Sequence, residues 1–404
     1  MDPITHGIAG SLLGKGFFSD RHGRVAIFAA TLGAVFPDVD IVAEVVSRDP
    51  MAIVKYHRGI THSFVALPVF AMLLAWLTRS IARHRDIETP SWGILTVVYG
   101  VGIASHILLD GTTSFGTRMW LPFSQKRVAW DLMFIIDFVL SASLLLPQVI
   151  AWIYNATAQK ETLATSRAKN MWLLFSAAAL LVWTIALGAG YPFHFWVAGV
   201  AIALFAALFF LPAVKGWGFC VTRSTWCKAG ICITLGYVLL CGVAHHASMA
   251  RVEKFAAENH VAVDRIGALP VPPCLLDWGD AIRTPDGVYQ ARFDLRNAQN
   301  PAFYFVPDSP PSAFVTRAFE IPDVQLYWHF ARFPTIRTSE DGEYHIVDFG
   351  EHRFTNGNRR SPQPFSYRLI FDDQQDIVAE GWLQNGLFMQ LMRRMQPARS
   401  ESHR

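Results

Sequence analysis

Long apolar stretches separated by short polar connections fill the first 250 positions of the chain. A helix that crosses a membrane needs about 17–25 mainly apolar residues. Six stretches reach this length, alone or with their flanks, at residues 64–78, 92–109, 132–154, 171–189, 194–214 and 229–247. Two weaker stretches precede them, at residues 4–18 and 25–42. The pattern predicts an α-helical polytopic membrane protein, because so many successive stretches disfavour the alternative of buried helices in a soluble protein.

The pattern changes after Arg251, where polarity becomes that of an ordinary soluble protein. Residues 287–293 and 344–349 alternate in polarity or are rich in β-forming types, and clusters of Pro and Gly separate such runs. We therefore predict two domains. Residues 1–250 form a transmembrane helical domain, and residues 251–404 form a soluble, mostly antiparallel β domain.

Composition supports this division and excludes some functions. Of the 404 residues, 52% are hydrophobic and only 17% are charged, whereas a soluble protein has about 25% charged residues. The net charge of +3 is too small to predict nucleic-acid binding. The five cysteines have no metal-binding spacing and no evident disulfide framework, so we expect inert thiols.

Basic residues predict the orientation in the membrane. The connections at residues 79–85, 160–169 and 215–228 are rich in Lys and Arg, and basic residues near the ends of spans lie preferentially in the cytoplasm. Counting the spans alternately from these connections puts the C-terminal β domain on the other side. We therefore expect a multi-pass protein in contact with the lipid bilayer, with an extracytoplasmic C-terminal domain.

Polar motifs interrupt the apolar pattern in the first third of the chain. They are Thr5-His6, Phe36-Pro37-Asp38-Val39-Asp40, His57-Arg58-Gly59-Ile60-Thr61-His62-Ser63, Ser105-His106-Ile107-Leu108-Leu109-Asp110 and Trp130-Asp131. The alternate counting places all of them at the outer membrane face, although they were not used to choose the orientation. An ionisable group near the membrane core costs at least ~2.5–3.5 kcal/mol and tends to mark a functional site.

The spacing of these residues suits metal binding. His106 and Asp110 are four positions apart, which puts them on one face of a helix. Gly59 gives the chain freedom to turn between His57 and His62. Imidazole and carboxylate ligands together favour zinc, manganese or iron over magnesium or calcium. The set exceeds what one catalytic ion takes, so a site of one or two ions is predicted.

Each residue alone has a simpler interpretation, such as a local hydrogen bond or a helix cap, but the combination favours metal. The predicted metal ligands are His6, Asp38, His57, His62, His106 and Asp110. Asp40 and Asp131 are predicted to be catalytic, and Asp40 has the alternative role of a partner that fixes a histidine tautomer.

Arginines complete the predicted site. Arg58 and Arg332 are predicted to bind substrate, Arg332 because its aromatic neighbours would hold it near an anionic group at the membrane interface. Arg118, Lys126 and Arg127 either bind a substrate anion or belong to a solvated loop.

The first four motifs, with the loop Trp120-Leu121-Pro122-Phe123-Ser124, resemble the signature of a bacterial family of inner-membrane, metal-dependent hydrolases, some of which are described as LexA-binding. The resemblance is dense over residues 1–155. One departure is the Phe that follows Asp137, where the family pattern has Pro. The ligand pattern is similar, more distantly, to zinc-dependent phospholipase C and P1-type nucleases, which implies phosphoester chemistry.

Together these features predict a metal-dependent hydrolase that acts on a phosphoester or lipid-linked substrate at the outer face of the bacterial inner membrane. The alternative is a non-enzymatic, metal-stabilised scaffold or regulator, which a closed coordination shell would favour. A transporter would place its ionisable residues near the bilayer midplane, whereas here they lie at span ends. The C-terminal domain either covers the metal site or binds a partner.

Overall fold

Helices form the first part of the molecule and strands dominate the last. The computed structural model describes residues 1–47, 49–155, 160–188, 194–272, 274–297, 302–355, 363 and 365–383. Its α-helices are α1 (Pro3–Leu13), α2 (Ser19–Val35), α3 (Ile41–Val46), α4 (Ala52–Tyr56), α5 (Leu67–His84), α6 (Trp92–Gly111), α7 (Phe138–Tyr154), α8 (Lys160–Gly188), α9 (Phe195–Val214), α10 (Arg223–Glu258), α11 (Ala313–Phe319) and α12 (Pro322–Phe330). Its strands are β1 (Arg265–Val271), β2 (Asp277–Thr284), β3 (Gly287–Asp294), β4 (Tyr304–Pro307), β5 (Pro334–Asp341), β6 (Tyr344–Glu351), β7 (Ser366–Phe371) and β8 (Ile377–Trp382).

The helical part has the length and polarity of a membrane domain. Within the described residues, five helical segments are long enough and apolar enough to cross a membrane: Pro3–Ala43, Trp92–Gly111, Glu161–Ile185, Phe195–Val214 and Arg223–Glu258. A further candidate is the pair Ala52–His62 and Leu67–His84, which is bent by 74°. Leu181, Ile185 and Leu204 on α8 and α9 are exposed, as expected of side chains that face lipid. The predicted polytopic helical fold is confirmed.

Helix α7 is shorter than the predicted span over residues 132–154. It begins at Phe138 because Asp137 caps it: Asp137 Oδ1 accepts the backbone N–H groups of Val139 and Leu140 at 2.9 Å each. The preceding residues are equally apolar but lie in a connection, so composition alone could not separate them from the helix. The predicted span at residues 171–189 ends at Ala189, which lies outside the described residues.

Small residues let three helices approach closely. A Cβ atom on Gly10 of α1 would lie 2.5 Å from the carbonyl oxygen of Ala30 in α2. A Cβ atom on Gly102 of α6 would lie 2.5 Å from the same oxygen and 2.9 Å from the backbone nitrogen of Ala34. Helix α2 is therefore held between α1 and α6 at backbone contact. This packing brings the polar ends of the three helices together.

The C-terminal region contains two antiparallel four-stranded sheets, ordered β1-β2-β3-β4 and β5-β6-β7-β8. This confirms the predicted β-rich fold, including the strands expected around residues 287–293 and 344–349. The first sheet contacts α10, where Ser248 Oγ donates to Asp280 Oδ1 at 3.0 Å. Helix α10 continues past the predicted domain boundary at residue 250 to Glu258, and the boundary itself stays a prediction.

The second sheet packs against connections of the helical part. Met51, Val54 and Phe115 share one apolar cluster with Tyr327 and Phe349. The C-terminal region thus contacts the same loops that lead into the polar motifs.

Candidate metal centre

Four short segments deliver the candidate ligands to one place. Helix α1 carries His6, and the 3₁₀ turn Phe36–Asp40, with Pro37 at its start, carries Asp38. The 3₁₀ turn Ile60–His62 carries His62, and α6 carries both His106 and Asp110 near its C-terminal end. Two overlapping groups result, in each of which the ligand atoms lie within 4.8 Å of one another. They are His6, His106 and Asp110, and Asp38, His62 and His106.

The distances between ligand atoms suit a shared ion. His106 Nε2 lies 3.0 Å from His62 Nε2, and Asp110 Oδ2 lies 3.2 Å from His62 Nε2 and 3.5 Å from His106 Nε2. Asp38 Oδ1 lies 3.5 Å from His106 Nε2 and 3.8 Å from His62 Nε2. Around a tetrahedral ion with bonds of about 2.0–2.2 Å, neighbouring ligand atoms are about 3.3–3.6 Å apart. These four side chains therefore have coordination spacing.

The tautomers of the two facing histidines also favour a cation. His106 Nδ1 lies 2.7 Å from the carbonyl oxygen of Ala34, which only accepts, so the proton is held at Nδ1. His62 Nδ1 faces the carboxylate of Asp40 at 3.2 Å, which holds its proton in the same way. Both Nε2 lone pairs then point at each other across 3.0 Å. This arrangement is repulsive unless a positive charge lies between them.

Buried atoms around this pair are consistent with a divalent ion. Asp38 Oδ2 and His6 Nδ1 are buried and have no hydrogen-bond partner among the described residues, a state that costs free energy unless another group satisfies them. His6 also stacks on His106, with ring centroids 3.6 Å apart, and its Nε2 lies 3.2 Å from Asp110 Oδ1. One proton could satisfy the two facing nitrogens, whereas a metal ion would bind both nitrogens together with the carboxylates of Asp38 and Asp110. The donor set therefore fits a metal.

Cationic groups of the chain surround Asp110. Arg58 Nε lies 2.9 Å from Asp110 Oδ2, and Arg58 Nη1 donates to Thr113 Oγ1 at 2.8 Å. The N-terminal amine of Met1 contacts Asp110 Oδ1. Arg58 was predicted to bind substrate, but the structure buries it, at 3% exposure, against a candidate ligand. Arg58 thus contacts residues of the candidate centre, and its predicted role in substrate binding stays a prediction.

His57 and Asp40 lie beside the two ligand groups and not within them. Asp40 Oδ1 lies 3.3 Å from His57 Nδ1, and Asp40 Oδ2 accepts the backbone N–H of Arg58 at 2.8 Å. Because the same carboxylate also faces His62, Asp40 is placed to orient imidazoles. The predicted catalytic role of Asp40 and the predicted ligand role of His57 both stay predictions.

Asp131 and Arg332 contact each other. Arg332 Nη1 lies 2.8 Å from both carboxylate oxygens of Asp131, although the two residues are 201 positions apart. Asp131 belongs to neither ligand group. The structure therefore joins the predicted catalytic carboxylate to the predicted substrate-binding arginine, at the contact between the helical and β-rich parts.

Arg353 has no predicted role, yet it lies at the same contact. Its guanidinium donates to the carbonyl oxygens of Ser114, Phe115 and Phe330 at 3.2, 3.3 and 2.9 Å. Its Nε lies 3.3 Å from Glu351 Oε2. Arg353 belongs to no recognisable motif, so the sequence alone does not predict that it contacts the helical part.

Comparison with known proteins addresses the helical part. Residues 1–191 match the model of the family described as YdjM inner membrane protein. Residues 1–191 are thus similar to the YdjM family. The YdjM match includes both ligand groups, and it agrees with the inner-membrane family expected from the motifs.

A relative of known sequence covers less of the chain. YfhP of Bacillus subtilis (strain 168), described as an uncharacterized protein, is 29% identical over 140 residues. That stretch is 33% of this chain and 40% of the length of YfhP. No solved structure matches the chain. The similarity of the helical part to the YdjM family thus rests on sequence comparison, and the side-chain geometry comes from this structure alone.

Proposed function

We propose that the chain is a metal-dependent hydrolase of the bacterial inner membrane, acting on a phosphoester or lipid-linked substrate at the outer face. The observation that carries the proposal is the pair of Nε2 atoms of His62 and His106, which face each other at 3.0 Å with their protons held at Nδ1. The YdjM-family match over residues 1–191 supports the membrane location.

The residues have distinct roles in this proposal. His6, Asp38, His62, His106 and Asp110 would hold one or two ions, and their nitrogen and oxygen donors favour zinc, then manganese or iron. Such an ion would act as a Lewis acid and would lower the pKa of a bound water molecule toward neutrality.

Two further groups would support these ligands. Asp40 keeps the proton of His62 on Nδ1 and thereby leaves Nε2 free to bind. Arg58, which lies 2.9 Å from Asp110, limits the negative charge of the buried carboxylates. The two together would hold the ligand set in one protonation state.

The proposal is tested with purified full-length protein. We expect it to retain zinc, manganese or iron after dialysis and to hydrolyse at least one member of a panel of phosphodiesters and phospholipids. His106→Ala should lose both metal and activity and keep its helical circular dichroism. His246→Ala, an exposed histidine of α10, is the matched control and should keep both. A His106→Ala protein that binds metal as the parent does would refute the proposed centre.

A second candidate function is a metal-stabilised scaffold or regulator. The observation in its favour is complete burial: the side chains of His6, His62 and His106 are 0% exposed, which resembles a closed structural site. In that case chelation would lower the unfolding temperature and no substrate of the panel would be turned over. Hydrolysis that returns on adding metal back would exclude this candidate.

A further inference from the structure

A large cavity lies between the helical part and a C-terminal wall formed mainly by α12, near the candidate metal centre. Its volume is about 880 Å³. Cationic side chains line it: Arg118, Lys126, Arg127, Arg265, Arg332 and Arg353. Among the described residues that line the cavity, none is Asp or Glu.

Carboxylates outside the lining compensate only part of this positive charge. Asp131 pairs with Arg332, and Glu351 lies 3.3 Å from Arg353. Within the described chain, Arg118 and Arg127 form no ion pair with a carboxylate. The cavity thus keeps an excess of positive charge in a place that is partly shielded from solvent.

Arg127 illustrates the cost of this arrangement. Its guanidinium donates to the carbonyl oxygens of Gly116 and Val54 at 3.1 and 2.7 Å and lies over the ring of Phe115. Burial, followed by repulsion from Arg118 and other arginines, lowers the pKa of Arg127 to about 9. Burying a cation without an opposite charge is unfavourable, and an anion in the cavity would relieve the repulsion.

Phe115 separates the cavity from the metal centre. Its ring lines the cavity and lies 5.2 Å from the ring of His57 and 5.1 Å from the guanidinium carbon of Arg58. Arg118 donates its backbone N–H to the carbonyl oxygen of Arg58 at 3.3 Å. A ligand in the cavity would therefore be one aromatic ring away from the residues that surround the ligand groups.

The composition of the wall indicates which anion fits. Guanidinium groups bind the oxygens of phosphate through paired hydrogen bonds. Leu326, Phe330 and Val54 provide apolar surface beside the cations, and this surface suits the carbon portion of a larger molecule. We propose that the cavity is a binding site for a phosphoryl group, carried either by an anionic lipid head group or by a free phosphate compound. The proposal concerns binding and does not require the metal centre to be hydrolytic.

The test measures binding to the full-length protein in nanodiscs. In the first arm, the discs are phosphatidylcholine, and inorganic phosphate or pyrophosphate is titrated by calorimetry at constant ionic strength. In the second arm, phosphatidylglycerol replaces part of the lipid and the unfolding temperature is recorded. Saturable phosphate binding indicates a free phosphate compound. Stabilisation by phosphatidylglycerol alone indicates a lipid head group.

Variants assign any binding to the cavity. Lys126→Ala and Arg118→Gln should each weaken the interaction about tenfold or more, the usual effect of losing one charged hydrogen bond. Arg317→Gln, an exposed arginine of α11 outside the lining, is the control and should change affinity less than twofold. His106→Ala should also retain phosphate binding, because it alters only the metal centre.

Two results would overturn the proposal. One is the absence of any phosphate or phosphatidylglycerol effect in the parent protein, which would leave the arginines as supports of the contact between the two parts. The other is binding that disappears in His106→Ala and persists in Lys126→Ala, which would place the anion at the metal centre.

Discussion

Asp40 offers the sharpest test of how the centre is built. Its carboxylate lies 3.3 Å from His57 Nδ1 and 3.2 Å from His62 Nδ1, and accepts the backbone N–H of Arg58 at 2.8 Å. If it orients His62, Asp40→Ala should weaken metal binding. Removing a partner of this kind lowers metal affinity about 10–100-fold, which corresponds to about 1.4–2.8 kcal/mol.

The assay is competition between the protein and a chelating dye for zinc, manganese or iron(II) in turn, with circular dichroism as a check on folding. Asp20→Ala is the matched control, because that carboxylate is 61% exposed and lies at the far end of the α1–α2 pair. The reasoning would be refuted if Asp40→Ala bound metal within twofold of the parent. If such a variant also lost turnover, Asp40 would be catalytic, as its sequence context first suggested.

Three further predictions concern orientation, the sheet contact and acid stability. Reporter fusions at Asn155 and Pro270 should give opposite signals, because the distribution of basic residues predicts that the first lies in the cytoplasm and the second outside. Arg332→Ala removes the ion pair with Asp131 and should lower the free energy of unfolding by about 1.5–3 kcal/mol; if the sheet covers the centre, turnover falls while metal content is unchanged. Burial lowers the pKa of His352 to about 4 from its ordinary 6.5. Between pH 6.5 and about 4, His352 is protonated in the unfolded chain but not in the folded protein. The free energy of unfolding should therefore fall by about 3 kcal/mol as the pH drops through this range. Thermal unfolding of His352→Gln should depend less on pH.

Each of these has a clear opposing result. Equal reporter signals at the two fusion sites would overturn the count of spans between them. An Arg332→Ala protein with full turnover and unchanged stability would favour a separate partner-binding role for the sheet region. Identical acid sensitivity of parent and His352→Gln would assign the proton uptake to other groups.

Several residues that local patterns predict as ligands lie close together in the structure, whereas the contacts around them follow from no local pattern. His106 and Asp110 were recognisable because four positions on a helix share a face, and the structure places their ligand atoms 3.5 Å apart. The alternating runs of the C-terminal region were recognisable for a similar reason, since side chains alternate along a strand. Both signals depend on neighbours in the chain.

Contacts between distant segments could not be predicted in this way. Asp131 and Arg332 are 201 positions apart, and their pairing depends on how the second sheet packs onto the helical part. The partner of His106 Nδ1 is a backbone carbonyl of Ala34, an atom that every residue type provides and that no sequence pattern can identify.

The close contact between α2 and α6 links one glycine to the candidate metal centre. Gly102 lies one helical turn before His106, and a Cβ there would lie 2.9 Å from the nitrogen of Ala34, whose carbonyl holds the imidazole proton. A methyl group at position 102 would force the helices apart and lengthen that hydrogen bond. The choice of which His106 nitrogen would be left for a metal therefore depends on the gap between α2 and α6, so we expect substitutions that never touch a candidate ligand to change metal affinity.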